Sequence, residues 1–168
     1  VGGVVTENVG VAVEQIGFLR QLPGASFEEE TPRVGVVREV EPHLVADSVC
    51  AQAKKYLGTE YRWGGKSGRG IDCSGLVSSA YMQCGVLIYR DARIVEGWPM
   101  HQIPFADKKR GDALYFPGHI ALYLGEGRYI HSTGASASGG VVINSLDPAD
   151  PLYREYLVKS LYAVGSVF

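Results

Sequence analysis

The sequence has few cysteines, little excess charge and no long hydrophobic run. Its three cysteines, Cys50, Cys73 and Cys84, form no CxxC pair, and their odd number excludes a complete intramolecular disulfide framework. The formal net charge is only -2 and no stripe of Lys or Arg stands out, so nothing indicates a nucleic-acid partner. The apolar runs end well before the roughly 18 residues that a transmembrane segment needs. No cationic and apolar leader opens the chain, so we expect any export signal to have been removed already or never to have existed.

The rest of the composition is that of a soluble globular protein, with 46% hydrophobic and 20% charged residues. A chain of 168 residues can bury the core of one ordinary domain and carry a small appendage. Residues 1–44 are predicted to be that appendage, because Val34–Val40 is a β-branched run and so short a segment can hardly hold its own core. Pro42 is predicted to break the chain, and residues 45–168 to form the main domain.

Two helices are predicted in the first half of the main domain. Apolar positions recur at helical spacing over Val45–Leu57, and Gly58 follows as a stop. A second apolar face runs over Cys73–Cys84, with Asp72 at the position of an N-cap. Between the two helices lies a glycine-rich loop, Tyr61–Gly70, which lacks the GxxxxGK[ST] spacing of a nucleotide-binding loop.

The second half of the main domain is predicted to be antiparallel sheet. Short β-type runs are separated by Gly or Pro, and Gly125–Gly127 is predicted to join two of them as a hairpin. The predicted strands are Asp112–Phe116, Ile120–Leu124, Arg128–Ser132, Val141–Asn144 and Tyr162–Phe168. Helices followed by a strand meander predict an α+β fold, with the sheet packed against the helices.

Cys73 is the candidate nucleophile among the three cysteines. It falls in the first turn of its helix, where unpaired N–H groups and the helix dipole favour a thiolate. It also lies on the apolar face, so its sulfur is expected to point toward the sheet. Cys50 and Cys84 are interpreted as small buried hydrophobic residues. The position of Cys73 alone indicates catalysis only weakly.

A base for this thiol has to come from the four histidines. His43 is interpreted as a surface residue of a connector, and His101 lies in an irregular Pro/Trp segment. His119 and His131 lie on the two strands of the predicted hairpin, an even number of positions apart, and so share one face of the sheet. With the thiol on a helix packed against that face, His119 would take the thiol proton and His131 would orient His119.

Other interpretations of these residues stay open. A hairpin histidine can simply hydrogen-bond a neighbour. The Cys/His/His set could instead bind zinc, although it offers three ligands and no obvious carboxylate as the fourth. Both histidines could also face the solvent.

Five short motifs follow one another along the chain: Tyr61-Arg-Trp-Gly-Gly, Asp72-Cys-Ser-Gly-Leu76, Arg110-Gly-Asp112, Gly118-His-Ile-Ala-Leu-Tyr-Leu-Gly125 and Tyr129-Ile-His-Ser132. In order and spacing they resemble the NlpC-type cell-wall cysteine peptidases, over residues 45–168. Arg90-Asp-Ala92 and Ile143–Pro148 look like the branch that cleaves the γ-D-glutamyl–L-diamino acid bond of murein stem peptides.

The resemblance implies a papain-like α+β core that needs no cofactor and no metal. By it, Cys73 matches the nucleophile, His119 the general base and His131 the third polar residue that orients the base. Tyr61 matches the tyrosine whose hydroxyl helps to form the oxyanion site, and the Cys73 backbone N–H is a second candidate donor.

The resemblance also implies a substrate. Asp72 and Ser74 match residues that hold the free amine of an N-terminal L-Ala, so the expected partner is a peptidoglycan stem peptide with that terminus. Residues 1–44 are interpreted as a partial or reduced SH3-like module. Location stays open between an exported wall hydrolase, which we favour, and a cytoplasmic recycling enzyme. A wall-binding protein that does not cut, and an amide acyltransferase, are the alternative functions.

Overall fold

The structure, a computed structural model, describes residues 42–135 and 139–168. The predicted β-rich, SH3-like segment lies outside the described residues, except for its last three positions. These three belong to helix α1, Pro42–Lys54, so the helix begins three residues before the predicted domain boundary.

Helix α1 corrects two predictions. Pro42 starts the helix instead of breaking the chain, which suits a residue without an N–H, since the first turn has no partner for it. His43 is exposed as predicted, but it lies in this helix and not in a connector. After Lys54, hydrogen bonds between residues three apart, such as Tyr56 N–H to the Ala53 carbonyl, continue the helical turns. These turns extend as far as Gly58, which has φ +79°.

Helix α2 spans Cys73–Gln83 and agrees with the predicted second helix. Before it, the predicted glycine-rich loop contains a two-stranded antiparallel ribbon of β1, Lys66–Ser67, and β2, Gly70–Ile71. The sequence pattern did not predict this ribbon.

A six-stranded antiparallel sheet with the order β3-β8-β4-β5-β6-β7 forms the second half of the domain. Its strands are β3 His101–Ile103, β4 Ala113–Phe116, β5 His119–Gly125, β6 Arg128–Thr133, β7 Gly140–Ser145 and β8 Ala163–Ser166. All five predicted strands are present within a few residues of their expected ends. A 3-10 turn, Phe105–Asp107, and a short helix α3, Glu155–Lys159, were not predicted. The segment around His101, interpreted as irregular, is the edge strand β3 paired with β8.

The sheet separates two hydrophobic clusters. Helices α1 and α2 pack on one face and bury Val49, Leu76 and Val77 against it. The other face carries Phe116 and Tyr129, which cluster with Leu157 of α3. The predicted α+β fold, with helices packed on an antiparallel sheet, is confirmed. Across the described residues, no helix combines the length and hydrophobicity needed to cross a bilayer.

Candidate active site

Cys73 opens helix α2, and its side chain is buried. Asp72 caps the helix, since its Oδ1 accepts a hydrogen bond from the Gly75 N–H at 2.6 Å. Burial raises the pKa of the Cys73 thiol, although hydrogen bonds from the backbone N–H groups of Ile120 and Ser74 act in the opposite direction. The N–H groups at the helix start therefore act to lower the pKa of this thiol, as predicted, but burial outweighs them and the pKa is raised overall.

The bond from Ile120 locates the thiol at the first residues of β5. Among the described residues of the two strands, the β5–β6 ladder pairs Leu122 with Ile130 but goes no further toward His119. The strands therefore separate here, and the Ile120 N–H is turned to the sulfur. Gly118 lines the same groove as the thiol. Of the two chain neighbours of His119, Ile120 bonds to the candidate nucleophile and Gly118 lines the same groove.

His119 and His131 are in direct contact, as predicted from their positions on the hairpin. His119 Nε2 lies 2.8 Å from His131 Nδ1, and the two rings are nearly perpendicular at 83°. Burial, followed by the neighbouring His131, lowers the pKa of His119 to about 3. Burial also lowers the pKa of His131, against the effect of a hydrogen bond with Asn144. With 2% of its surface exposed, His131 is not solvent-facing.

The histidine pair lies on the opposite face of the sheet from the one expected. Its rings contact the aromatic cluster of the α3 face, with centroids 5.8 Å apart for Phe116–His119 and 5.3 Å for Tyr129–His131. Helix α2 packs on the other face. The expectation that the thiol-bearing helix covers the histidine face is wrong, and the Cys73 thiol accepts from the Ile120 N–H at the start of β5, where the β5–β6 ladder has opened.

Asn144 is a site residue to which the sequence analysis gave no role beyond its place in the motif Ile143–Pro148. Its Oδ1 lies 2.8 Å from His131 Nε2, and its Nδ2 donates to the Leu152 carbonyl at 2.8 Å. The signal was present, because Asn144 pairs with Tyr129 across β6 and β7. It therefore shares the face of Tyr129 and His131, and it is a polar residue at a position that should be buried.

Tyr61 lies in the groove with Cys73. Burial raises the pKa of its hydroxyl, and the nearby Cys73 and Asp72 add to this effect. The hydroxyl is thus close enough to interact electrostatically with the sulfur, and it keeps its proton. A protonated phenol beside the nucleophile can donate a hydrogen bond to an oxyanion.

Asp72 and Ser74 are brought together, but a guanidinium already occupies them. Arg90 Nη2 donates to Asp72 Oδ2 at 2.9 Å, and its Nη1 donates to the Ser74 hydroxyl. The Gly64 N–H donates to Asp72 Oδ2 as well, at 2.8 Å. Burial acts to raise the pKa of Asp72, yet the hydrogen bonds from Arg90, Gly75 and Gly64 together with the Arg90 charge lower it. In the sequence analysis, Arg90 served only as part of a branch motif.

These residues line a groove of about 680 Å³. Three cationic side chains, Lys66, Arg90 and Arg93, face it against two acidic ones, Asp72 and Asp91. Trp63 is 85% exposed at its edge. Among its described lining residues, the groove therefore carries a small excess of positive charge.

The fold and the cluster together define a class of protein. A cysteine at a helix start, with a hydrogen-bonded pair of histidines on an antiparallel sheet, is the arrangement of papain-like cysteine hydrolases. A model of the NlpC/P60 family matches residues 58–162, more than half of the chain. The chain belongs to the NlpC/P60 family, as the resemblance of its motifs predicted.

Curated relatives are similar to the chain over part of their own length. A dipeptidyl-peptidase 6 of Lysinibacillus sphaericus is 47% identical over 162 residues, which make up 95% of this chain and 56% of the relative. A γ-D-glutamyl-L-lysine dipeptidyl-peptidase of Bacillus subtilis is 37% identical over 131 residues, or 73% of this chain and 41% of the relative. The chain thus spans about half the length of these relatives.

Solved structures share the fold. An NlpC/P60 family protein from Bacillus cereus is 29% identical with a TM-score of 0.57, covering 71% of this chain and 39% of that one. A non-catalytic NlpC/P60 domain protein of Mycobacterium tuberculosis, adapted to peptidoglycan binding, has a TM-score of 0.56 at 19% identity. It covers 72% of this chain and 95% of its own. At this identity the likeness concerns the fold alone.

Proposed function

We propose that the chain is a cysteine endopeptidase that hydrolyses the γ-D-glutamyl–L-diamino acid bond of peptidoglycan stem peptides. The observation that carries the proposal is that His119, hydrogen-bonded to His131, directly precedes Ile120, whose N–H bonds to the Cys73 thiol at the wall of an open groove. Membership in the NlpC/P60 family and the name of the Bacillus subtilis relative support the choice of peptidoglycan and of this bond.

The proposed reaction starts from an uncharged thiol and an uncharged imidazole. His119 takes the thiol proton as the Cys73 sulfur attacks the scissile carbonyl carbon, and the resulting oxyanion accepts hydrogen bonds from the Tyr61 hydroxyl and a backbone N–H. The C–N bond then breaks, and His119 gives its proton to the leaving amine. In the second half, His119 takes a proton from water as the water oxygen attacks the acyl carbon. The C–S bond then breaks, and His119 returns the proton to the Cys73 sulfur.

The charges of the groove support a stem peptide as substrate. A γ-linked D-glutamate keeps its α-carboxylate free, and the cationic side chains of Arg90, Arg93 and Lys66 face the groove. Asp72 and Ser74 remain the proposed site for the ammonium of an N-terminal L-Ala. Because Arg90 holds that position in the free protein, the ammonium must displace Arg90 from Asp72 or share the carboxylate with it.

The test is cleavage of L-Ala-γ-D-Glu-L-Lys and of its diaminopimelate counterpart, followed by mass spectrometry. We expect release of L-Ala-D-Glu by the wild type and none by Cys73→Ala. Cys84→Ala is the matched control, because Cys84 is a half-buried free thiol near the other end of α2, and it should cleave like the wild type. Undiminished cleavage by Cys73→Ala would sink the proposal.

A second candidate function is wall binding without cleavage. The raised pKa of Cys73 favours it, since a protonated thiol is a poor nucleophile, and the non-catalytic protein from Mycobacterium tuberculosis shares the fold. In this case the wild type binds the stem peptide and leaves it intact, with the same affinity as Cys73→Ala. An acyltransferase would instead yield L-Ala-D-Glu joined to an added amine.

A further inference from the structure

We propose that Asn144 is a positioning residue that fixes the tautomers of both histidines, so that His119 presents an unprotonated Nδ1 to Cys73. This inference rests on the proposed function for its catalytic meaning. The tautomers themselves are a property of the resting protein and can be measured without any substrate.

The Leu152 carbonyl can only accept hydrogen bonds. It lies 2.8 Å from one side-chain atom of Asn144, so that atom has to be the Nδ2 amide. The other atom is then Oδ1, an acceptor, and it faces His131 Nε2 at 2.8 Å. The proton between them must therefore sit on His131 Nε2.

The position of this proton also fixes the protonated nitrogen of His119. A neutral imidazole with a proton on one nitrogen has a lone pair on the other, so His131 Nδ1 is an acceptor. It lies 2.8 Å from His119 Nε2, which must then carry the proton of that ring. His119 Nδ1 is left without a proton, as a general base for the thiol requires.

Burial makes this chain of hydrogen bonds unambiguous. It lowers the pKa of His119 to about 3 and lowers that of His131, so both rings are neutral at physiological pH. Asn144 is also buried, with 4% exposed, and its amide does not titrate. A carboxylate here would orient His131 equally well but would favour a charged imidazolium in a buried site. The amide orients the base without that charge.

We call the hydrogen-bonded series from the Leu152 carbonyl through Asn144 and His131 to His119 the relay. The chain segment after β7 fixes the position of its first member, the Leu152 carbonyl. The Leu152 carbonyl also accepts the Ser145 N–H at 3.1 Å, and the Leu152 N–H donates to Asp150 Oδ1 at 2.8 Å. Asp150 pairs in turn with Arg128 at the start of β6. The segment that follows Asn144 therefore folds back, so that its Leu152 carbonyl accepts a hydrogen bond from the Asn144 side chain.

The experiment compares Asn144→Leu with Asn144→Asp in the full chain, using 15N-labelled histidine and long-range 15N–1H NMR at pH 7. Wild-type spectra should show both rings protonated on Nε2. Asn144→Leu removes the acceptor and should shift His131 away from that single tautomer, while kcat falls by roughly 100-fold or more and KM changes little. Asn144→Asp keeps an acceptor toward His131 but adds a charge that favours the imidazolium, so it should keep the proton on His131 Nε2, raise the pKa of His131 and leave kcat between those of the wild type and Asn144→Leu.

Ser145→Ala is the matched control. Ser145 is the next residue of β7, and its hydroxyl accepts the Asp147 N–H at 3.0 Å, so this variant disturbs the same segment without touching the relay. It should keep both tautomers. Wild-type His119 protonated on Nδ1, or Asn144→Leu spectra equal to those of the wild type, would overturn the inference. The stated tautomers in a wild type that cleaves nothing would support the relay and contradict the proposed function instead.

Discussion

Burial favours the uncharged forms of Cys73 and His119, the proposed nucleophile and base. The pKa of the thiol is raised and that of the imidazole is lowered to about 3, so an ion pair is not the resting state. Proton transfer between the two leaves the net charge of the buried site unchanged. That favours transfer during attack on the substrate over full ionisation beforehand.

The first prediction at the residue scale concerns the pH dependence of cleavage. Because His119 binds a solvent proton only near its lowered pKa of about 3, kcat/KM should stay high as the pH falls through about 6.5, the ordinary value for histidine. It should decrease only at lower pH. The measurement is kcat/KM against pH, with circular dichroism to confirm that the protein stays folded. An acid limb centred near pH 6.5 would contradict the neutral pair.

The second prediction concerns the Tyr61 hydroxyl. Tyr61→Phe keeps the ring and removes the donor, so kcat should fall by about 100-fold, the typical effect of losing one oxyanion donor, with little change in KM. Tyr56→Phe is the control, since the Tyr56 hydroxyl accepts from Gln83 Nε2 at 3.2 Å on the exposed helix side. An unchanged kcat in Tyr61→Phe would remove Tyr61 from the proposed oxyanion site.

At the scale of residues, the sequence was sufficient to identify site residues that belong to recognisable motifs. It was not sufficient to assign roles to residues that act through contacts with distant parts of the chain. The register of the hairpin was enough to bring His119 and His131 together, because a two-residue period leaves only two faces. It could not tell which face the helices cover, since both faces of these strands are apolar. Arg90 and Asn144 were missed because their roles depend on partners, Asp72 and His131, that are distant in the sequence.

At the scale of elements, the start of α2 is held against the β1–β2 ribbon by a close backbone contact. An added Cβ on Gly75 would lie 2.2 Å from the Gly65 carbonyl oxygen and 2.9 Å from Asp72 Oδ1. Any side chain at this position would push the ribbon away from the helix that carries Cys73. The close approach of the two backbones therefore requires a glycine at this position.

The third prediction follows from this contact. Gly75→Ala should destabilise the protein by about 1–3 kcal/mol, as overpacking does, and should lower kcat because Asp72 and the thiol shift together. Urea unfolding measures the first effect and peptide cleavage the second. Gly68→Ala is the matched control, because a Cβ on Gly68, in the turn of the same ribbon, meets nothing within 4 Å. Equal stability of Gly75→Ala and wild type would contradict the close approach.

The elements that the sequence predicted are those with a strong local signal. Both long helices and the five predicted strands have a clear apolar period and glycine or proline at their ends. Each strand of the ribbon has two residues, β3 has three and α3 has five. These elements are too short to show a hydrophobic period. They depend on tertiary contacts instead, such as the pairing of β3 with β8 and the burial of Leu157.

At the scale of the whole domain, the site lies where the two layers meet and not within either of them. The helix layer supplies Cys73, the far face of the sheet supplies the histidines, and the opened end of the β5–β6 ladder connects them. Such a site requires both layers to be docked. Loss of packing should therefore separate the thiol from the histidine pair before the secondary structure disappears.

The same buried histidines make the stability of the domain depend on pH. In the unfolded chain a histidine binds a proton below about pH 6.5, whereas folded His119 does so only near pH 3. Between these values the unfolded state binds more protons, so stability is complete above pH 6.5 and decreases as the pH falls, by at most about 1.4 kcal/mol per pH unit for each such histidine. We expect the free energy of unfolding in urea to be smaller at pH 5 than at pH 7.5, and this difference to shrink in His119→Gln.

His43→Gln, at an exposed position of α1, should behave like the wild type. The same pH dependence in His119→Gln as in the wild type would mean that His119 is charged in the folded protein, and the neutral relay through Asn144 would then fail with it.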